Sequence, residues 1–149
     1  MLFELKKMFA NLTQSPSEES DVSYHLALAT VLVEIMVSDD EVDQREIEKI
    51  LEILKAQTGL DSEVEAILEE ARSQSKMAND MFKYTNVINE QASRADKDEI
   101  MRCLWRIAYA DLELDEYEDH RIRRISELLY VPHSDFIRTK LEVQKELAL

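Results

Sequence analysis

Glycine occurs once and proline twice in the 149 residues of this chain. A sheet protein needs turn-forming residues at many tight reversals, so a sandwich or barrel is excluded. Cysteine also occurs once, at Cys103, which rules out an internal disulfide framework and fits a reducing, cytoplasmic setting. Its neighbours from Met101 to Ile107 suggest a buried small apolar residue. A catalytic thiol would need an activating histidine and an electropositive niche. No apolar run approaches the roughly 20 residues of a membrane span. Basic residues are scarce, 18 against 32 acidic ones, for a net charge of −14. That balance argues against nucleic acid and anionic membrane as main partners, since both are bound through positive surface.

Catalytic signatures are missing as well. The chain has no glycine-rich phosphate loop, no nucleophile paired with a base and no pair of thiols. His25, His120 and His133 show no H-x-x-x-H spacing of the kind that holds zinc. Four carboxylates could in principle support metal-assisted hydrolysis, but catalytic metal sites usually recruit histidine. The expectation is a protein that is not an enzyme.

What is present is helical periodicity almost from end to end. The expected fold is all-α, a compact bundle of about seven to eight helices with an internal duplication of a helical hairpin. Residues 1–14 read as an amphipathic helix over about 2–11 and a linker. The lysines of Met1-Leu2-Phe3-Glu4-Leu5-Lys6-Lys7-Met8-Phe9 follow the first apolar residues, the wrong order for a secretory signal. Packing on the domain or fraying is expected of this helix rather than membrane contact, for which its length is marginal. Residues 15–149 form the single domain. Ser15, Pro16 and Glu18 look like the cap of a helix running to about Val37. Asp43 starts a helix that Gly59 stops. Further helices are expected over about 61–73, 75–92, 97–110 and 115–129, with a last one after Pro132 that carries Phe136, Ile137 and Leu141. Residues 121–124 and 65–72 read as solvated helix faces.

Two stretches carry the same acidic pattern, D-x-E-(V/L)-D-x-x-E: Asp39-Asp40-Glu41-Val42-Asp43-Gln44-Arg45-Glu46, and Asp111-Leu112-Glu113-Leu114-Asp115-Glu116-Tyr117-Glu118. Starting at positions 39 and 111, they lie 72 apart, and the match continues without a gap. Leu32 and Ile35 answer to Leu104 and Ile107; Ile50 and Ile53 answer to Ile122 and Ile125. This is a duplicated supersecondary unit, with repeats at about 22–60 and 95–132.

The apolar rows run into the carboxylates. Leu28 to Asp39 is eleven residues, as is Ile100 to Asp111. Eleven steps of about 100° return close to the starting direction. Asp39 and Asp111 therefore extend the core-facing rows, and Glu46 and Glu118 lead the rows of the following helices. Three readings stay open: a hydrogen-bonded capping network with Asp43 and Asp115 as N-caps, a divalent-cation site, or a contact for a partner protein. An EF-hand is excluded. Its sixth and twelfth places should hold Gly and Glu, but Gln44 and Ile50 stand there in one turn and Glu116 and Ile122 in the other. An all-carboxylate set of Asp39, Glu46, Asp111 and Glu118 would suit Mg²⁺, Ca²⁺ or Mn²⁺.

The stretches 31–46 and 105–118, each an apolar helix ending in an acidic turn, resemble the tellurite-resistance TerB-like family. A related module is similar to the N-terminal part of a membrane-anchored DnaJ-type co-chaperone. The family's turn reads A-x-D-G-x-(V/I)-x-x-x-E; Asp40 and Leu112 stand here in place of its glycine. The resemblance covers about residues 22–143. It implies an all-helical, cytoplasmic, stress-associated domain that binds divalent cations and acts with other stress-response proteins. By position, the family's acidic pair falls on Asp39 with Glu46 and on Asp111 with Glu118.

Overall fold

The computed structural model describes residues 23–36, 44–77, 81–110 and 116–149. The described residues form seven helices and no strand: α1 Tyr24–Met36, α2 Gln44–Thr58, α3 Glu63–Met77, α4 Phe82–Gln91, α5 Arg94–Ala108, α6 Glu116–Leu128 and α7 His133–Glu146. The expected helix over 2–11 and the cap at Ser15 lie outside the described residues.

α1 begins later than its periodicity suggests. Ser23 is not helical, and its Oγ accepts from the Leu26 N–H at 3.1 Å, satisfying a donor that the first turn leaves orphaned. From there Ala27, Leu28, Ala29, Thr30, Val31, Leu32, Val33 and Ile35 are all buried. A helix apolar on every side must be covered on every side. α1 is, by α2, α3, α4, α5 and α6. Thr30 satisfies its hydroxyl on the Leu26 carbonyl at 2.8 Å, so it can sit in the core without a further partner.

Two other boundaries differ from expectation. α3 runs through Ser73 and Ser75 to Met77, and α4 opens only at Phe82. Serine disfavours a helix interior only weakly, and the buried row Val64, Ile67, Leu68, Ala71 against α1 outweighs it. Gly59 stops α2 at φ 72°, its N–H bonding back to the Lys55 carbonyl at 3.0 Å.

The duplication extends past the hairpin. A shift of 72 residues carries α1, α2 and the start of α3 onto α5, α6 and α7. Val64, Ile67 and Ala71 then fall on Phe136, Thr139 and Val143, and all six are buried. The packing follows the same exchange: α1 lies on α3 as α5 lies on α7, and α2 and α6 each pack on both α1 and α5. α4 has no counterpart among the described residues and packs on both α1 and α6, bridging the halves. Leu32, Ile35, Ile50, Leu104, Ile107 and Ile122 all belong to one core. Trp105, Met101 and Tyr109 are buried in it, as packing.

Candidate functional site at the acidic helix starts

Glu46 is the third residue of α2 and Glu118 the third of α6. Glu46 is half-buried, and Glu118 is only 5% exposed. Each heads a buried row, Ile50 and Ile53 on α2, Ile122 and Ile125 on α6 with Leu129 just past its end. Glutamate is tolerated there partly because a helix start carries positive partial charge from its unsatisfied N–H groups. The first turn of α6 gathers Glu116, Glu118 and Asp119 in that field.

Arg121, one turn further along α6, donates from Nη1 to the Glu34 carbonyl at 3.3 Å. Glu34 lies in the last turn of α1, so α6 begins where α1 ends. The run 121–124 is therefore not a wholly solvated face: Arg121 is half-buried, and the Arg123 guanidinium lies 5.3 Å from the Phe136 ring centroid. A lone polar residue on an apolar helix end draws a cation inward to its carbonyls, and sequence periodicity carries no sign of that. Asp119 is tied to Lys140 of α7 at 3.1 Å.

Asp39 and Asp111 lie outside the described residues, as do Asp43, Asp115, Glu41 and Glu113. Among the described residues no group of three or more His, Cys, Asp or Glu side chains is placed to hold a metal ion. Glu46 and Glu118 are thus not joined into such a group by any other described side chain.

Cysteine and histidine add no evident ligand to the acidic turns among the described residues. Burial, with Glu99 adding to it, pushes the Cys103 thiol up to about 12, so it is neither a thiolate ligand nor a nucleophile near neutral pH. His25 is half-buried beside Tyr24, and desolvation pulls its pKa down. His120 is exposed, and His133 is stacked on Phe136 at 5.6 Å.

A second polar construction was not foreseen. α5 and α7 run parallel, joined by ion pairs one helical turn apart: Arg94 to Asp135 at 3.1 Å, Asp98 to Arg138 at 2.8 Å, Arg102 to Glu142 at 2.7 Å and Arg106 to Glu146 at 2.8 Å. On its inner side Trp105 donates from Nε1 to the Thr139 hydroxyl at 3.2 Å. The four-residue spacing 94, 98, 102, 106 was the available signal. The corresponding positions on α1 include Leu26, Thr30 and Glu34, so the ladder belongs to the second half alone.

No helix among the described residues is long and apolar enough to cross a membrane. No curated protein and no solved structure matches the chain. The family model described as tellurite resistance protein TerB matches residues 25–141, which spans both acidic turns and most of the seven helices. With that match over most of its length, the chain belongs to the tellurite-resistance TerB family.

Proposed function

We propose that this TerB domain is a non-enzymatic, cytoplasmic, stress-associated module whose two acidic turns bind a hard divalent cation. The observation that carries the reading is Glu118, 5% exposed at the head of an apolar row, in a turn whose carboxylate pattern recurs 72 residues away at Glu46. Carboxylates gathered in one partly buried place repel one another. A cation shared among Asp39, Glu46, Asp111 and Glu118 would neutralise that repulsion. The donor chemistry fits: oxygen ligands without thiolate or imidazole suit Mg²⁺, Ca²⁺ or Mn²⁺.

The alternative is an adaptor role, in which the turns are capping networks and the acidic surface meets a basic partner among stress-response proteins. The net charge of −14 favours it, because such a field accelerates association with a cationic surface.

Thermal melting separates the two. Wild type is melted in EDTA and in millimolar Ca²⁺, Mg²⁺ and Mn²⁺, beside Asp39→Asn/Asp111→Asn and Glu118→Gln. A cation at a hundredfold excess over Kd contributes about 2.7 kcal/mol, or roughly 5–10 °C for a domain of this size. The variants should lose that response while remaining folded. Equal melting temperatures in EDTA and in all three cations would leave the adaptor reading.

A further inference from the structure

The two central helices begin at one shared cavity, and the two halves of the duplication furnish its sides differently. Tyr24, the first residue of α1, and Asp96, in the first turn of α5, stand at corresponding places 72 apart, as do Leu28 and Ile100. All four line a cavity of about 270 Å³. Leu28 and Ile100, each 3% exposed, give it an apolar floor. Gln57 from the last turn of α2, Gln91 at the end of α4 and Glu99 of α5 complete the lining, so four helices converge there. By the same shift Gln57 answers to Leu129, which is buried in the core. The first half therefore keeps a carboxamide where the second has an apolar side chain.

The polar groups of this lining are short of partners, and its charge is of one sign. Among the described residues the Tyr24 hydroxyl and the carboxamides of Gln57 and Gln91 make no hydrogen bond within the protein. Burial, with the Asp96 charge adding to it, pushes the Tyr24 phenol up, so it stays neutral. Asp96 stands at the exposed mouth, where its Oδ2 accepts from the Ser93 N–H at 2.9 Å. Glu99 accepts from Arg106 at 3.2 Å. No lysine, arginine or histidine lines the cavity. Two carboxylates are too few to replace the six or more oxygens of a hard metal ion, and no metal-holding group forms among the described residues.

We propose that this cavity binds a small organic cation: an ammonium on an alkyl or arylalkyl body of about nine heavy atoms, since ~30 Å³ per water gives room for about that many. The body rests on Leu28 and Ile100. The ammonium lies at the mouth between the Asp96 carboxylate and Tyr24, since a carboxylate and an aromatic face both attract it. Its remaining protons go to the free carboxamide oxygens.

Titration of the full chain with phenethylammonium, followed by NMR, tests this. Saturable shifts at the side-chain amides of Gln57 and Gln91 and the backbone amides of Leu28 and Ile100 should give a Kd of about 1 mM or below. Uncharged 2-phenylethanol and anionic phenylacetate should bind about tenfold more weakly or worse. Asp96→Asn can still accept the Ser93 N–H, so α5 keeps its cap, and amine binding should fall by about tenfold or more. Diffuse attraction to the −14 body would survive that substitution almost intact. Gln57→Leu, at an exposed position, should weaken the amine severalfold with the melting temperature unchanged. No saturable shift at millimolar amine, equal affinity for the alcohol, or affinity indifferent to Asp96→Asn would overturn the proposal. So would displacement of the amine by millimolar Mg²⁺ at the same signals, which would make the cavity a metal site.

Discussion

Arg106 grips Glu146 through two N–H···O bonds, Nε to Oε2 at 2.8 Å and Nη2 to Oε1 at 3.0 Å. The guanidinium also reaches Glu99 on its own helix at 3.2 Å. This fork closes the far end of the ladder that fastens α7 to α5. Planar two-point geometry makes it the best-formed of the cross-helix pairs.

The pair should therefore show measurable coupling. The side chain of Arg106 is 25% exposed and that of Glu146 47%, so water and salt screen much of the attraction. A double-mutant cycle with Arg106→Gln and Glu146→Gln should give about 0.5–1 kcal/mol at low salt. The value should fall well below that in molar salt. Coupling of zero, or coupling indifferent to salt, would contradict the assignment.

Acid should loosen the ladder. Hydrogen bonds from Arg138 and Arg94 hold Asp135 below the ordinary carboxylate range, and those from Arg102 and Arg138 do the same for Glu142. Arg106 lowers Glu146 likewise. A carboxyl whose folded pKa is depressed contributes stability that is complete above its unfolded pKa, near 4. That contribution is lost as pH falls through the folded value. Stability should be flat from neutral pH to about 5 with respect to these groups and decline below about 4. In Arg138→Gln the decline should be shallower, since both Asp135 and Glu142 lose a donor. Denaturant melts across pH 2–7 would show an unchanged profile if the ladder were idle.

Tyr130 offers a stabilising substitution. It stands at φ 57°, the left-handed region, where the Tyr130 N–H bonds to the Glu127 carbonyl and the Val131 N–H to the Ser126 carbonyl. This helix stop ordinarily uses glycine, and a side chain there costs about 1 kcal/mol. The ring is 73% exposed, so little packing is lost beyond the Lys97 ammonium 5.8 Å from its centroid. Tyr130→Gly should raise the melting temperature by about 1–3 °C. A drop instead would mean that the ring carries more than its exposure implies.

Much of the bundle was legible in order. The stripe Ile100, Cys103, Leu104, Ile107, Ala108 is buried, and so is Leu28, Val31, Leu32, Ile35. Such rows show in a sequence because one repeating angle decides which residues meet the core. Starts and stops were less legible where several candidates compete. Ser75 looks like a cap yet lies inside α3, while Ser23 and Ser93 cap α1 and α5, the latter in a reciprocal box with Asp96. A cap is chosen by where the helix must enter the core, and one strand of local sequence does not encode that. Of the candidate site, the placement of Glu46 and Glu118 on core-facing rows follows from periodicity, while Asp39 and Asp111 lie outside the described residues.

By itself the sequence determined the helical class, the 72-residue duplication and the twofold acidic pattern, because these rest on spacing along one chain. Only the tertiary structure decided which helix became central and that α5 and α7 lie parallel with four cross-helix ion pairs. It also decided that Arg121 turns inward to the end of α1, and that α7 leaves Ile137 and Leu141 uncovered where α3 shows glutamates. Periodicity tells a side chain which way to point from its own axis. What stands opposite is set by how the axes pack, and that depends on contacts between residues far apart in the chain.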